Sequence, residues 1–115
     1  MVLPATTLAE GCYQSMFEGC SGIIQGPINL PATIATPSCY MNMFKGCKSL
    51  INMPYINATN LKEYCCYSMF ANCPSLVFTT PFNNLQYISP HCCEEMIGYC
   101  TNIKYFPDIT VDVIE

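Results

Sequence analysis

The sequence predicts an α/β solenoid, a right-handed superhelix of about four 26–27-residue coils that carries a short-stranded parallel sheet. The first observation behind this prediction is a repeat, since residues of one type recur at intervals of 26 or 27 positions. Four columns keep their residue type in every copy: Cys12, Cys39, Cys65 and Cys92; Cys20, Cys47, Cys73 and Cys100; Met16, Met43, Met69 and Met96; Pro27, Pro54, Pro81 and Pro107. The second observation is composition. Of the 115 residues 51% are hydrophobic and 10% are charged, which allows a buried core.

Two further columns are apolar in all four copies and complete the repeating unit. They are Leu8, Ala35, Leu61 and Ile88, and Ile23, Leu50, Leu76 and Ile103. A period of 20–29 residues with Leu, Ile, Phe and Cys columns is typical of leucine-rich-repeat solenoids. One unit cannot bury its own apolar stripe, whereas stacked units bury a continuous one. We therefore expect a single leucine-rich-repeat domain over residues 1–115, with repeats at about 3–29, 30–55, 56–81 and 82–108.

Each repeat is expected to begin with an extended arm and to continue into a short helix. The arms lie at residues 3–8 and 30–35 in the first two copies, where Thr, Ile and Leu favour extended backbone and Pro excludes a helix. Residues 10–20 follow in the first copy. Their cysteines and Met16 recur at helical offsets, which predicts a short α-helix or 3₁₀ segment.

The repeat ends on a predicted strand. Residues 23–27 are too few for a helix and end at Pro27, so we expect a short strand that pairs in parallel with its counterparts in neighbouring coils. After the fourth repeat, residues 109–115 alternate apolar and polar side chains, which predicts a C-terminal strand or cap.

Charge and hydropathy restrict the possible partners. The net charge is −4, which argues against nucleic acid because its binding needs a cationic surface. No apolar run approaches the ~18 residues that a membrane span needs. No signal sequence precedes Leu3, and we expect a secreted or surface protein whose native signal has been removed and whose Met1 is not native.

The ten cysteines allow three interpretations: metal ligands, disulfides or buried free thiols. Cysteines of one coil are eight residues apart or directly adjacent, which is poor spacing for a metal site. Because Cys behaves as a small hydrophobe, we expect eight of the ten to form two ladders of buried thiols. Cys66 and Cys93 differ, since they occupy the column that holds Tyr13 and Tyr40. A Cys66–Cys93 bridge between adjacent coils is the best disulfide candidate.

The sequence shows no catalytic constellation. His91 is the only histidine and stands beside Cys92, but adjacent residues on a helix do not face each other, so we expect an exposed histidine without a catalytic partner. Glu94 and Glu95 are interpreted as a solvated face. Phosphate-binding loops and Ser-His-Asp patterns are missing from the sequence. We therefore predict a protein that is not an enzyme and binds neither cofactor nor metal.

One variable column is the candidate binding surface. It follows the apolar column by two residues in each strand and holds Gln25, Asn52, Phe78 and Tyr105. Variable strand positions line the concave face of leucine-rich-repeat proteins, and aromatic side chains are favoured in recognition surfaces. The alternative is that Phe78 and Tyr105 simply cover the sheet.

The repeat resembles the BspA-type leucine-rich repeat. The likeness rests on the opening Leu-Pro-Ala-Thr at residues 3–6 and 30–33 and on Met-Phe-x-Gly-Cys-x-Ser-Leu, which residues 43–50 match and residues 69–76 match with Asn for Gly. The fourth unit departs further, with Met-Ile at residues 96–97. The resemblance spans about nine-tenths of the chain and implies surface-exposed, often adhesive proteins of bacteria and protists.

Two functions are therefore expected. The first is a non-enzymatic surface module that binds a protein or another macromolecule, with host extracellular matrix among the candidate ligands. The alternative is a structural unit that self-assembles end to end through uncapped coils, because an open strand edge is a template for pairing.

Overall fold

The computed structural model describes residues 3–27, 29–77, 82, 85–103 and 112–113. Within this part of the chain the strands are two residues long: β1 (Asn29–Leu30), β2 (Ile34–Ala35), β3 (Tyr55–Ile56), β4 (Asn60–Leu61), β5 (Tyr87–Ile88) and β6 (Asp112–Val113). Such strands are shorter than the usual 3–10 residues. Their pairing therefore depends on the packing of whole repeats against one another.

The strands form two parallel sheets. One sheet has the order β2–β4–β5–β6, and in the other β1 pairs with β3. Each pairing joins successive repeats, since Ile34 lies opposite Asn60 and Asn60 lies opposite Tyr87. Strand β6 falls within the segment predicted as a C-terminal strand or cap and pairs with β5. Equivalent residues of neighbouring repeats thus lie side by side across the sheet.

Each repeat also contains a ten-residue turn segment: residues 10–19, 37–46, 63–72 and 90–99. Its amides alternate between two kinds of acceptor. One amide donates three residues back within its own segment, as Met43 does to Tyr40 at 3.1 Å. The next donates to the following repeat, as Phe44 does to Met69 at 2.8 Å. This alternation satisfies buried backbone groups without a helix and joins the repeats along the whole segment.

The helix predicted for residues 10–20 is wrong, and the described residues contain no helix. Every fourth residue of a turn segment has a positive φ, as at Ser38 (59°), Asn42 (57°) and Gly46 (75°). A left-handed residue every four positions interrupts helical hydrogen bonding. The fourfold spacing that suggested a helix is the period of these successive turns. No helix that could cross a membrane is found in the residues searched, which are the described ones.

The predicted strand at residues 23–27 is reduced to one parallel bridge, between Gln25 and Asn52. Pro27 has no amide with which to extend the ladder. Most of the regular pairing lies instead in the arm that was expected to be extended, which contains Leu30 of β1 and the whole of β2.

The core is made of the columns that the sequence repeats. The rings of Phe17, Phe44 and Phe70 stack in order, with 5.3 Å between neighbouring ring centroids. Met43 is fully buried between repeats, whereas Met16 in the first repeat is 47% exposed. The right-handed leucine-rich-repeat architecture stays a prediction.

Candidate functional site

The predicted binding column is brought together at its first two members. Gln25 and Asn52 are partners in a parallel bridge, so they lie side by side on neighbouring repeats. Gln25 is exposed and Asn52 is half-buried. The other two members, Phe78 and Tyr105, lie outside the described residues. The structure thus presents a short polar pair at this position.

A cleft that the sequence interpretation missed lies where repeats 2 and 3 meet. It has a volume of about 330 Å³ and is lined by Asn29, Pro31, Tyr55 and Asn57. Tyr55 is 49% exposed. The Asn57 side-chain Nδ2 donates to the Pro31 carbonyl at 3.3 Å, which fixes one wall of the cleft. Its lining therefore combines an aromatic ring with two uncharged amides.

The register of β1 and β3 explains why these side chains converge. Leu30 and Ile56 pair across the sheet and are both buried. Because strand side chains alternate, the residues on either side of this pair lie on the opposite face. Asn29 stands opposite Tyr55 in the same ladder. Once Leu30 and Ile56 are known to be the buried pair, strand alternation places Asn29 and Tyr55 on the face of the cleft.

A second, smaller groove lies between repeats 1 and 2. Its volume is about 170 Å³, and it is lined by Thr6, Thr7, Leu8, Thr33, Ile34 and Thr36. The Thr36 hydroxyl donates to the Ala9 carbonyl at 3.1 Å, so one of its polar groups is already engaged within the fold. The groove offers mainly hydroxyl and aliphatic surface.

Cysteines form the most concentrated chemistry in the described chain. Cys65, Cys66, Cys92 and Cys93, here called the thiol cluster, lie where the turn segments of repeats 3 and 4 meet. The sulfurs of Cys65 and Cys66 are 3.7 Å apart, and those of Cys92 and Cys93 are 3.6 Å apart. Cys66 lies beside Cys93 across the two repeats, since the Cys66 backbone amide donates to the Cys92 carbonyl at 2.8 Å. All ten cysteines are free thiols in this structure, and the Cys66–Cys93 disulfide stays a prediction. The prediction of two fully buried ladders is wrong at the outer repeats, where Cys12 is exposed and Cys20 and Cys100 are half-buried.

The thiols of the cluster differ in acidity. Hydrogen bonds from Cys66 and Cys92 lower the pKa of Cys93 well below its ordinary value. The pKa of Cys92 is raised by its hydrogen bond to Cys93 and by burial. The pKa of Cys66 is raised by hydrogen bonding to Cys65 and Cys93 and by burial. Cys93 is thus the member that holds a negative charge most easily.

The His91 side chain makes no hydrogen bond to Cys92 or Cys93. Its ring stacks on Tyr64 of the preceding repeat, with 5.3 Å between centroids, and its Nδ1 lies 2.8 Å from Glu94 Oε1. Both side chains of this contact are about half-exposed, which limits its contribution to stability. His91 therefore bridges two repeats at the surface.

The arrangement supports binding and thiol chemistry. Among the described residues no three His, Cys, Asp and Glu side chains are placed to hold a metal ion. Comparison with protein-family models, with curated proteins and with solved structures found no match for the chain. The likeness to BspA-type repeats therefore rests on the repeated residues themselves.

Proposed function

We propose that this chain is a non-enzymatic cell-surface module, built from BspA-type leucine-rich repeats, that binds a protein or another macromolecule. Host extracellular matrix proteins are the first ligands to test. The observation that carries the proposal is the cleft of Asn29, Pro31, Tyr55 and Asn57 between repeats 2 and 3. A half-exposed tyrosine beside amides supplies both contact area and hydrogen bonds, and tyrosine is enriched at binding hot spots.

The surrounding fold supports this use of Tyr55. Leu30 and Ile56, which lie beneath the cleft, are fully buried, and the repeats on either side share a backbone ladder. A ligand therefore meets side chains on a fixed backbone and orders little of the protein on binding, which favours affinity. A second exposed tyrosine, Tyr87, lies on β5 of the other sheet.

The test is binding of the reduced protein to immobilised fibronectin, laminin and type I collagen by biolayer interferometry. Tyr55→Ala is expected to weaken binding by about 30-fold, which corresponds to a hot spot of about 2 kcal/mol. Tyr99→Ala is the matched control, because Tyr99 is also an exposed tyrosine, at 81%, but lies on a turn segment and does not line the cleft. The control is expected to bind within about twofold of the parent, as for a surface change of about 0.5 kcal/mol. Absence of binding to all three ligands, or equal loss in both variants, contradicts the proposal.

A second candidate function, end-to-end self-assembly, is favoured by the outer edges of the turn segments. In repeat 1 the carbonyls of Cys12, Gln14 and Met16 accept no hydrogen bond from the described residues, although their equivalents in repeat 2 accept one from repeat 1. In repeat 4 the Cys93 and Ile97 amides likewise donate to none of the described residues. Among the described residues, one edge thus has acceptors and the other has donors without a partner, which a second copy would match.

Light scattering over a concentration series tests this candidate. Self-assembly predicts a mass that grows with concentration and falls to the monomer value in Met16→Lys, because a charge at the outer edge of repeat 1 opposes docking. Ile51→Lys places the same charge on an exposed residue of repeat 2, away from both outer edges, and is expected to leave assembly unchanged. A monomer at every concentration contradicts the assembly function and leaves the binding function standing.

A further inference from the structure

The thiol cluster interrupts a column that is aromatic in the first two repeats. Tyr13 and Tyr40 stack there with 6.1 Å between ring centroids and an angle of 4° between ring planes. Repeats 3 and 4 place Cys66 and Cys93 at the equivalent positions. Two stacked rings are thereby replaced by two thiols that lie next to the regular cysteine column. The result is four sulfur atoms at one junction between repeats.

Geometry selects one pair of this cluster for a covalent bond. Cysteines adjacent in sequence have Cα atoms 3.8 Å apart, which is shorter than the roughly 4.4–6.8 Å of ordinary disulfides. Paired backbones lie at about 4.8 Å, which falls within that range. Cys66 and Cys93 occupy equivalent positions of neighbouring repeats, and the Cys66 amide donates to the Cys92 carbonyl at 2.8 Å, so we expect their backbones to lie at about this spacing. The Cys65 thiol, in contrast, is directed at the Cys92 carbonyl, 3.8 Å away.

Exposure and hydrogen bonding single out Cys93 within the pair. Cys65 and Cys66 are fully buried and Cys92 is nearly so, whereas Cys93 is half-buried. Cys93 also accepts a hydrogen bond from the Cys92 thiol, with 3.6 Å between the sulfurs. A sulfur that is reachable and receives a donor loses its proton before its buried neighbours do, and the thiolate is the nucleophile in disulfide exchange.

We propose that Cys93 is a site of thiol–disulfide exchange with small disulfides and that Cys66 resolves the product into a bridge between repeats 3 and 4. In the first step the Cys93 thiolate attacks one sulfur of the small disulfide. The Cys93–sulfur bond forms, the reagent's S–S bond breaks, and one thiolate leaves. In the second step the Cys66 sulfur attacks the Cys93 sulfur, and the bond between Cys93 and the reagent's sulfur breaks. The buried Cys66 proton passes to that departing sulfur, which leaves as the second thiol. The protein loses two electrons and two protons, and the small disulfide is reduced to two thiols.

The first test uses the parent protein and a small neutral reagent, bis(2-hydroxyethyl) disulfide. The reduced protein is incubated with the reagent, quenched with acid, denatured without reductant and alkylated. Chymotrypsin, which cleaves after Phe70 and Tyr87, separates Cys66 from Cys93 before mass spectrometry. The proposal expects eight free thiols and a Cys66–Cys93 linkage that dithiothreitol reverses. Exposure alone predicts instead that Cys12 forms the first adduct, since Cys12 is the exposed cysteine among the described residues.

Three variants separate the roles of the two thiols. Cys66→Ser is expected to stop at a mixed disulfide on Cys93, because the resolving thiol is missing. Cys93→Ser is expected to form neither the adduct nor the bridge at this junction. Cys65→Ala is the matched control: it removes a buried thiol from the same cluster and is expected to form the Cys66–Cys93 bridge at the parent's rate. Circular dichroism shows whether each variant has the fold of the parent. If a variant fails to fold, the disulfide linkage mapped in the parent protein still tests the proposal.

The proposal is overturned by any of three results. The first is a parent protein whose early adducts lie on Cys12 and which never forms the cross-repeat bridge. The second is a bridge that pairs Cys65 with Cys92. The third is an adduct that forms elsewhere in the cluster at the parent's rate when Cys93 is replaced by serine.

Discussion

The Cys73 thiol donates a hydrogen bond to the carbonyl of Phe44 in the preceding repeat, with a sulfur–oxygen distance of 3.1 Å. The same contact recurs between Cys47 and Phe17 at 3.2 Å and between Cys100 and Phe70 at 3.0 Å. Each of these carbonyls therefore receives a thiol from the next repeat. A cysteine at this position is at once a small apolar filler and a donor, which accounts for a column in which cysteine never changes.

Replacing Cys73 with alanine tests this account of the cysteine column. The variant loses the sulfur volume and one hydrogen bond, and the Phe44 carbonyl keeps its bond from the Cys47 amide. We expect the free energy of unfolding in urea to fall by about 1–2 kcal/mol. Cys12→Ala removes an exposed thiol and is expected to change stability by less than about 0.5 kcal/mol. Equal effects at the two sites would contradict the proposed role.

Burial of Cys73 also makes stability depend on pH. Desolvation raises the pKa of Cys73 to about 12, whereas the pKa of a cysteine in the unfolded chain is about 8.5. Above that lower value the unfolded chain releases a proton that the native thiol keeps, so the free energy of unfolding decreases as pH rises. Urea midpoints should therefore be level up to about pH 8 and decline by pH 10. The decline should be shallower in Cys73→Ala, and an identical slope in both proteins would refute the assignment to Cys73.

The stacked phenylalanines predict a difference between central and outer repeats. Phe44 stacks between the rings of Phe17 and Phe70, whereas Phe17 stacks on Phe44 alone among the described residues. Each aromatic stack contributes about 0.5–1.5 kcal/mol, so Phe44→Leu should destabilise the protein more than Phe17→Leu by about that amount. Denaturant unfolding of both variants measures the difference. Equal losses would mean that the stacks contribute little beyond burial.

Left-handed backbone in the turn segments predicts opposite outcomes for two glycines. Gly46 has a φ of 75°, so Gly46→Ala is expected to cost about 1–2 kcal/mol even though an added Cβ meets nothing closer than 3.8 Å. At Gly22 φ lies outside the left-handed region and an added Cβ has open space, so alanine should be neutral or stabilising by up to about 1 kcal/mol. Thermal or urea unfolding of the pair is the measurement. A harmless Gly46→Ala would exclude the turn geometry.

The columns could be predicted from sequence because burial imposes the same requirement in each repeat. Met43, Phe44, Met69 and Phe70 are all fully buried, as their repeated positions implied. The turn segments could not be predicted in the same way. Their cross-repeat hydrogen bonds join residues about 26 positions apart. In addition, residues such as Tyr64 and His91 have positive backbone φ angles that their residue types do not suggest.

The candidate site was only partly predictable for a related reason. The register that places Gln25 beside Asn52 follows from the repeat alone. The choice of that column as the binding surface assumed a strand at residues 23–27, and most of the pairing lies further along the chain. Once Leu30 and Ile56 are known to be the buried pair, Tyr55 is placed on the outward face by strand alternation.

The most direct test of the account is the hydrogen bond from the Phe44 amide to the Met69 carbonyl. This bond belongs to the ladder that aligns neighbouring repeats, and the binding cleft and the thiol cluster both depend on that alignment. A long-range HNCO spectrum of labelled protein detects coupling through hydrogen bonds between an amide nitrogen and the acceptor's carbonyl carbon. We predict a cross-peak between Phe44 nitrogen and Met69 carbonyl carbon. A cross-peak from Phe44 nitrogen to the carbonyl carbon of Tyr40, four residues earlier, would show a helix in this segment and contradict the account.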